Sequence, residues 1–172
     1  MATTSGSIIL MELRDNITGL KSSVKTEFSI KQKGKHLICL FKAYDSSLTS
    51  YGNKDNDELY RGDVVEVFVN IGEPNAYLEI EVAPNGKKFV ANIINKKINF
   101  IDSSFVKTDV ELQKNNYFVT IDIDLSRFNV LRPIRYNAYR IETKGIKENY
   151  LLLAASPTMC DTFHVQDSFI EL

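Results

Sequence analysis

Acidic side chains recur at alternate positions along one part of the chain, where they could accept hydrogen bonds from a ligand. Glu79 and Glu81 stand two residues apart, and Glu66 lies in the preceding apolar run. Because the side chains of a β-strand alternate between its two faces, Glu79 and Glu81 share a face with Tyr77. By the same rule Glu66 shares a face with Phe68. Two neighbouring strands with an acidic face flanked by aromatic rings predict a polar recognition surface on a β-sheet.

The rest of the chain has the pattern of a protein built from β-strands. Short apolar runs are separated by turn signals such as Asn85-Gly86, which is typical of a tight hairpin. Only Asp124–Phe128 has the pattern of a helical turn. Many short strands with almost no helical periodicity predict a β-sandwich or a barrel. The predicted strands are Ile8–Leu13, Val24–Lys31, His36–Tyr44, Asp63–Asn70, Tyr77–Ala83, Lys88–Asn95, Val110–Leu112, Tyr117–Ile123, Arg135–Glu142, Tyr150–Ala155 and Ser168–Leu172.

The composition sets limits on the partners. The 172 residues, 44% hydrophobic and 25% charged, suit a single domain over residues 1–172. A net charge of −1 provides no basic excess for nucleic acid, and no apolar run approaches the ~20 residues of a membrane helix. The N-terminus has no signal-peptide pattern. We therefore expect neither nucleic acid nor a membrane as partner. We expect a cytoplasmic location for the chain as written, or secretion if it is part of a larger protein.

Several segments in this order resemble family 9 carbohydrate-binding modules and the wider group of DOMON-like β-sandwich domains. The segments match an aromatic–x–x–Asp–x–x–Glu strand, the next strand and hairpin, an Asn–x–x–Arg strand and a C-terminal signature. They are Leu59–Phe68, Tyr77–Gly86, Tyr136–Glu142, Ala155–Thr158, Phe163-His164 and Ser168-Phe169. The resemblance implies an all-β, jelly-roll-like sandwich of two antiparallel sheets. It also implies non-catalytic binding of a sugar or oligosaccharide end.

The resemblance also implies a set of sugar-binding residues. Tyr60, six residues before Glu66, would stack on the apolar face of a sugar ring, since an aromatic platform beside a few polar groups is typical of such sites. The polar contacts would come from Glu66, Glu79, Glu81, Asn137 and Arg140. Strand alternation leads us to expect Arg140 on the same surface as Glu79 and Glu81, where it would orient their carboxylates.

The family usually holds the sugar between two tryptophans, but this chain contains no tryptophan. Where the family has Trp-Ser-Pro, the chain has Ala155-Ser156-Pro157. The candidates for a second ring opposite the first are Phe163, Tyr136 and Tyr51.

Other interpretations of the same residues stay open. Glu79 and Glu81 could lie on an ordinary solvated sheet face, with Arg140 in a cross-strand ion pair. The chain could be a degenerate module that acts as a structural or protein-interaction domain. It could also be a small enzyme acting on glycosides, because two carboxylates on one strand face lie ~7 Å apart, within the range of inverting glycosidases.

No cofactor is expected, and calcium is the one metal that the sequence suggests. Asp55, Asp57 and Asp63, with the neighbouring Glu58, form an acidic cluster whose oxygens could ligate calcium. The spacing differs from that of an EF-hand loop. Turn chemistry explains the same residues, because Asp side chains readily accept hydrogen bonds from nearby backbone amides.

Overall fold

A computed structural model describes residues 9–45, 47–143 and 150–172 and shows an all-β fold. Three short 3-10 turns, Leu59–Arg61, Leu125–Arg127 and Gln166–Ser168, are the helical elements of these ranges. The second confirms the helical turn predicted near residue 125. The strands are β1 Ile9–Glu12, β2 Arg14–Asp15, β3 Thr26–Lys33, β4 His36–Tyr44, β5 Val64–Asn70, β6 Ala76–Val82, β7 Lys88–Ile94, β8 Lys97–Phe100, β9 Val106–Gln113, β10 Asn116–Asp124, β11 Arg135–Thr143, β12 Tyr150–Ala154 and β13 Ile170–Glu171.

The described strands form two antiparallel sheets that pack face to face. The smaller sheet has the order β1-β3-β4-β10-β9. The larger sheet has the order β2-β12-β11-β5-β6-β7-β8, and β13 pairs with β11. This arrangement confirms the predicted two-sheet antiparallel β-sandwich. Across the same described ranges, no helix combines the length and the apolar character needed to cross a membrane.

Alternation along the strands decides which residues fill the space between the sheets. In β5, Val65 and Val67 point inward and are fully buried against apolar residues of the smaller sheet such as Phe28 and Phe41. Val64, Glu66 and Phe68 point outward, as the sequence predicted. Burial of this inner face stabilises the fold by about 25 cal/mol for each Å² of apolar surface removed from water.

A second apolar cluster covers the outer face of the larger sheet. Phe68 lies at its centre, with ring centroids 5.1 Å from Tyr77, 4.8 Å from Tyr139 and 6.3 Å from Phe169. Phe163 and Leu59 also belong to this cluster. The outer face is therefore covered by the C-terminal segment, residues 155–169, and by the 3-10 turn that begins at Leu59. As a result β5, β6 and β11 are buried on both faces.

Two short strands of the larger sheet were not predicted. β8 follows the turn Asn95-Lys96, whose φ angles of 49° and 65° are those of a tight two-residue hairpin. All four residues of β8 are exposed, and its polar–apolar alternation extends over only four residues, which is too short to identify a strand in a sequence. β2 has only two residues, paired with β12. The turn predicted at 143–147 and the N-terminal residues 1–8 fall, apart from Thr143, outside the described residues.

Candidate functional site

Glu66, Glu79 and Glu81 form a compact cluster on the outer face of the larger sheet. The register of β5 and β6 pairs Glu66 with Glu81 and Phe68 with Glu79. One carboxylate oxygen from each of the three glutamates lies within 4.8 Å of the corresponding oxygens of the other two. The acidic face predicted from alternation is therefore a single group, which we call the carboxylate trio.

The trio is almost sealed from water, which excludes the ordinary solvated face. The exposed fractions are 2% for Glu66, 6% for Glu79 and 3% for Glu81. Burial raises the pKa of Glu66 and of Glu81 well above the ordinary range, and the charge of the neighbouring glutamates raises it further. Burial also raises the pKa of Glu79, to about 7. Three acids with perturbed pKa values in one place are typical of a functional site.

Few basic groups or hydrogen-bond donors of the protein lie close to the trio. In the described ranges, neither a lysine nor an arginine forms an ion pair with it. The Oε2 atoms of Glu79 and Glu81 accept no hydrogen bond there from an amide, hydroxyl or basic group, and the two acidic side chains contact each other. The nearest basic group is His164, whose Nδ1 lies 4.0 Å from Glu79 Oε2. Burial lowers the pKa of His164, which favours the neutral imidazole. The trio therefore carries acceptor capacity that the described residues do not use.

Tyr60 stands beside the trio with its ring available to a ligand. The buried side chain of Leu59 anchors the 3-10 turn, while Tyr60 is 47% exposed. Partial burial and then the charge of Glu58 raise the pKa of Tyr60, and the charge of Glu81 adds to the effect, so the phenol is within electrostatic range of the trio. Gly62 ends the turn where a Cβ would lie 2.6 Å from the backbone nitrogen of Tyr51, so only glycine fits without displacing that segment.

Arg140 does not belong to this surface, so the prediction that it shares a face with Glu79 and Glu81 is wrong. The register pairs Arg140 with inward-facing Val65. Its guanidinium is fully buried between the sheets, where it donates to Thr26 Oγ1 at 2.8 Å and Asp45 Oδ2 at 2.9 Å. Alternation along β11 was correctly predicted, but the face that contains Arg140 is the inner one.

Asn137 lies on the outer face, but its amide is used within the protein. The side-chain nitrogen donates to the carbonyl oxygen of Ser156 at 2.7 Å and to Ser168 Oγ at 3.0 Å. The side-chain oxygen accepts from the backbone amide of Ser156 at 3.0 Å. Asn137 is fully buried. It therefore fastens the C-terminal segment to β11 and is not presented to a ligand.

The three candidates for a second ring lie in different environments. Phe163 is only 7% exposed and stacks on Tyr139, with ring centroids 4.2 Å apart. Tyr136 is fully buried between the sheets near Phe28. Tyr51 is 42% exposed, and the Arg61 guanidinium lies 4.7 Å from its ring centroid. Of the three, Tyr51 alone presents a ring to solvent.

His164 is an exposed ring on the trio's border that the sequence prediction did not assign to the site. Its imidazole stacks on Phe68, with centroids 5.4 Å apart, and its Nδ1 lies 2.6 Å from the hydroxyl oxygen of Tyr77. The signal was present in the Phe163-His164 pair of the C-terminal signature. His164 also lines a groove of about 560 Å³ together with Asn75, Asn95 and Lys96.

The aspartates suggested as calcium ligands each accept hydrogen bonds from backbone amides. Asp63 is fully buried and accepts from the amides of Thr49 and Thr143, the latter at 2.8 Å. Asp57 accepts from the amide of Asn53 at 2.9 Å, and Asp55 from that of Lys88 at 3.2 Å. Across the described residues, the set of three acidic or histidine side chains close enough for one ion is the carboxylate trio. Asp55, Asp57 and Asp63 do not form such a set.

The two described sheets define the class of the protein as an antiparallel β-sandwich, and solved structures with the same fold include carbohydrate-binding proteins. A structure from Bacteroides uniformis, with the provisional description of a carbohydrate-binding protein, matches 96% of this chain and 85% of its own with a TM-score of 0.81 at 18% identity. A family 9 carbohydrate-binding module from Caldicellulosiruptor kristjanssonii, solved with glucose, matches 94% of this chain and 82% of its own, with a TM-score of 0.68 at 17% identity. A structure of such a module with bound cellotriose has a TM-score of 0.63 at 18% identity. The match covers 86% of this chain and 71% of that module's chain.

A relative is also recognisable from its sequence. A protein of Arthroderma benhamiae described as "Extracellular protein" is 27% identical over an alignment of 171 positions. The alignment covers 84% of this chain and 76% of that protein. No family model matches the chain. The structural neighbours therefore confirm the fold that the sequence resemblance implied.

Proposed function

We propose that this protein binds a sugar or the end of an oligosaccharide, without catalysis, at Tyr60 and the adjoining carboxylate trio. The observation that carries the proposal is a half-exposed phenol ring beside a compact acidic cluster, on the outer face of a sandwich with the fold of family 9 modules. The structures with bound glucose and cellotriose support the choice of a sugar.

The two parts of the site suit the two kinds of surface on a sugar. The C–H face of the ring packs on Tyr60, while ring hydroxyls donate hydrogen bonds to the oxygens of the trio. Because the trio is at most 6% exposed, it offers only its outer edge, and the phenol ring supplies most of the contact area. His164 bounds the site on the side of Glu79, 4.0 Å from its Oε2. The groove beside His164 has a volume typical of small-ligand sites.

The experiment is a calorimetric titration with glucose and with cellotriose. We expect Tyr60→Ala to bind at least about tenfold more weakly, because loss of a stacking ring removes about 1.4 kcal/mol or more of binding free energy. Tyr150→Ala is the matched control, since Tyr150 is 43% exposed at the start of β12. The control should bind as the wild type does.

Two results would contradict the proposal. One is the absence of saccharide binding at millimolar concentration in a panel that includes glucans, xylans and their oligosaccharides. The other is an unchanged affinity of Tyr60→Ala for a saccharide that the wild type binds. A parallel titration of Tyr51→Ala tests the other exposed candidate ring, because a loss of affinity of tenfold or more would show that it also contacts the sugar.

A further inference from the structure

We propose that the carboxylate trio of Glu66, Glu79 and Glu81 binds a divalent cation, and that the ion is calcium. This site differs from the Asp55, Asp57 and Asp63 cluster of the sequence prediction. The proposal concerns the same carboxylates as the proposed sugar site, but it does not require that a sugar binds.

The spacing of the trio fits one ion. Calcium–oxygen bonds are about 2.3–2.6 Å long, so two ligands on opposite sides of a calcium ion are about 4.6–5.2 Å apart. The trio's oxygens lie within 4.8 Å of one another, so an ion at their centre would be at most about 2.8 Å from each, close to the length of a calcium–oxygen bond. All three donors are carboxylate oxygens, which hard cations such as calcium and magnesium prefer. Magnesium gives up its waters reluctantly and is seldom held by protein oxygens alone, so a buried set of three carboxylates favours calcium.

In its ionised form, the buried trio needs a partner of positive charge. Glu66, Glu79 and Glu81 are at least nine-tenths buried, and removal of an ion from water costs several kcal/mol unless another charge compensates it. Arg140 is fully buried on the opposite face of the sheet, where it pairs with Asp45. The described residues thus place three acids together and direct the nearby buried arginine elsewhere.

Two oxygens supply an independent indication of a ligand. Glu79 Oε2 and Glu81 Oε2 are inaccessible to water and accept no hydrogen bond from an amide, hydroxyl or basic group in the described part of the chain, where the two acidic side chains contact each other. Buried acceptors without a partner are uncommon in proteins, and each requires an explanation such as an ion. The His164 Nδ1 that approaches Glu79 is already engaged by Tyr77 at 2.6 Å, so the donor set stays all-oxygen and disfavours zinc.

The three carboxylates supply three to six of the six to eight oxygens that calcium takes. Water or the hydroxyl groups of a ligand would complete the coordination.

The test is a titration of the full chain, freed of metal by a chelator, with CaCl₂ in a calorimeter. Terbium is a second probe, because nearby tyrosines transfer excitation energy to the bound ion. We expect one calcium per chain, at least tenfold weaker binding in Glu66→Gln and in Glu81→Gln, and displacement of terbium by calcium. Glu111→Gln is the matched control, because Glu111 is an exposed acid on β9 of the smaller sheet. It should bind as the wild type does.

The wild-type titration decides the question even if a variant fails to fold. The absence of binding up to about 10 mM calcium, beyond the range of weak extracellular sites, would overturn the proposal. The proposal would also be overturned if the Glu66→Gln variant, shown by circular dichroism to be folded, bound calcium as tightly as the wild type does. Tighter binding of magnesium than of calcium would overturn the choice of ion. Glucose binding without calcium binding refutes this proposal alone, and calcium binding without saccharide binding refutes only the proposed function.

Discussion

Replacement of Arg140 by methionine is expected to lower the free energy of unfolding by about 3–5 kcal/mol, as for other buried ion pairs that lose one partner. The guanidinium is fully buried, and Asp45, whose side chain is 6% exposed, would lose its cationic partner. Thr26 Oγ1 and the carbonyl oxygen of Tyr44 would lose a donor in the same step. Methionine is close in length to arginine, so the lost charge and hydrogen bonds dominate over lost volume.

Urea denaturation of the variant measures this change. Arg127→Met is the control, because Arg127 forms an ion pair of 2.8 Å with Asp102 at the surface, with side-chain exposures of 46% and 62%. Such exposed pairs contribute about 0–1 kcal/mol. The saccharide affinity of the folded Arg140→Met protein should stay within twofold of the wild type. A loss of affinity with unchanged stability would instead restore Arg140 to the binding surface.

The position of Arg140 shows what strand alternation alone cannot predict. Alternation fixes which residues of one strand share a face, and it correctly grouped Glu79 with Glu81 and placed Glu66 with Phe68. Alternation does not show which face of a strand points inward when both faces carry polar and apolar residues. β11 contains polar residues on both faces, and its pairing with β5 joins segments about 70 residues apart in the chain. Only the three-dimensional register places Arg140 opposite Val65.

Asp63 illustrates a motif residue whose purpose the structure reveals. The sequence placed Asp63 in the aromatic–x–x–Asp–x–x–Glu strand and also among calcium candidates. Its carboxylate instead accepts from the backbone amides of Thr49 and Thr143, and so ties the loop before Tyr60 to the end of β11. Burial raises the pKa of Asp63, partly offset by these two hydrogen bonds. The motif therefore contains the platform, its anchor and one member of the trio.

The covering of the outer face could not be predicted, because it comes from a segment without regular structure. Residues 155–169 carry few strand signals, yet Phe163 and Phe169 pack on the outer face. The apolar side chains Phe68 and Tyr139 of the sheet could equally have faced solvent in a binding surface. The trio's burial, and with it the inference of a cation, follows from this cover together with the 3-10 turn at Leu59.

Replacement of Phe68 by alanine is expected to lower the free energy of unfolding by about 3–5 kcal/mol, since large-to-small changes in a packed core lose both transfer energy and contacts. Phe68 is fully buried and contacts the rings of His164 and Phe169. We therefore expect the C-terminal segment to detach more often and to be cleaved faster by a protease at residues 156–169. Denaturation and limited proteolysis followed by mass spectrometry measure the two effects.

Phe41→Ala separates the loss of stability from the release of this segment. Phe41 is also buried, but it packs between the sheets, with its ring centroid 4.8 Å from that of Phe28. We expect a similar loss of stability in Phe41→Ala without early cleavage at 156–169. Saccharide and calcium affinity should fall in folded Phe68→Ala, because His164 and the cover of the trio depend on that ring, and should persist in folded Phe41→Ala. Equal cleavage of the segment in both variants would show that the outer cluster does not hold it.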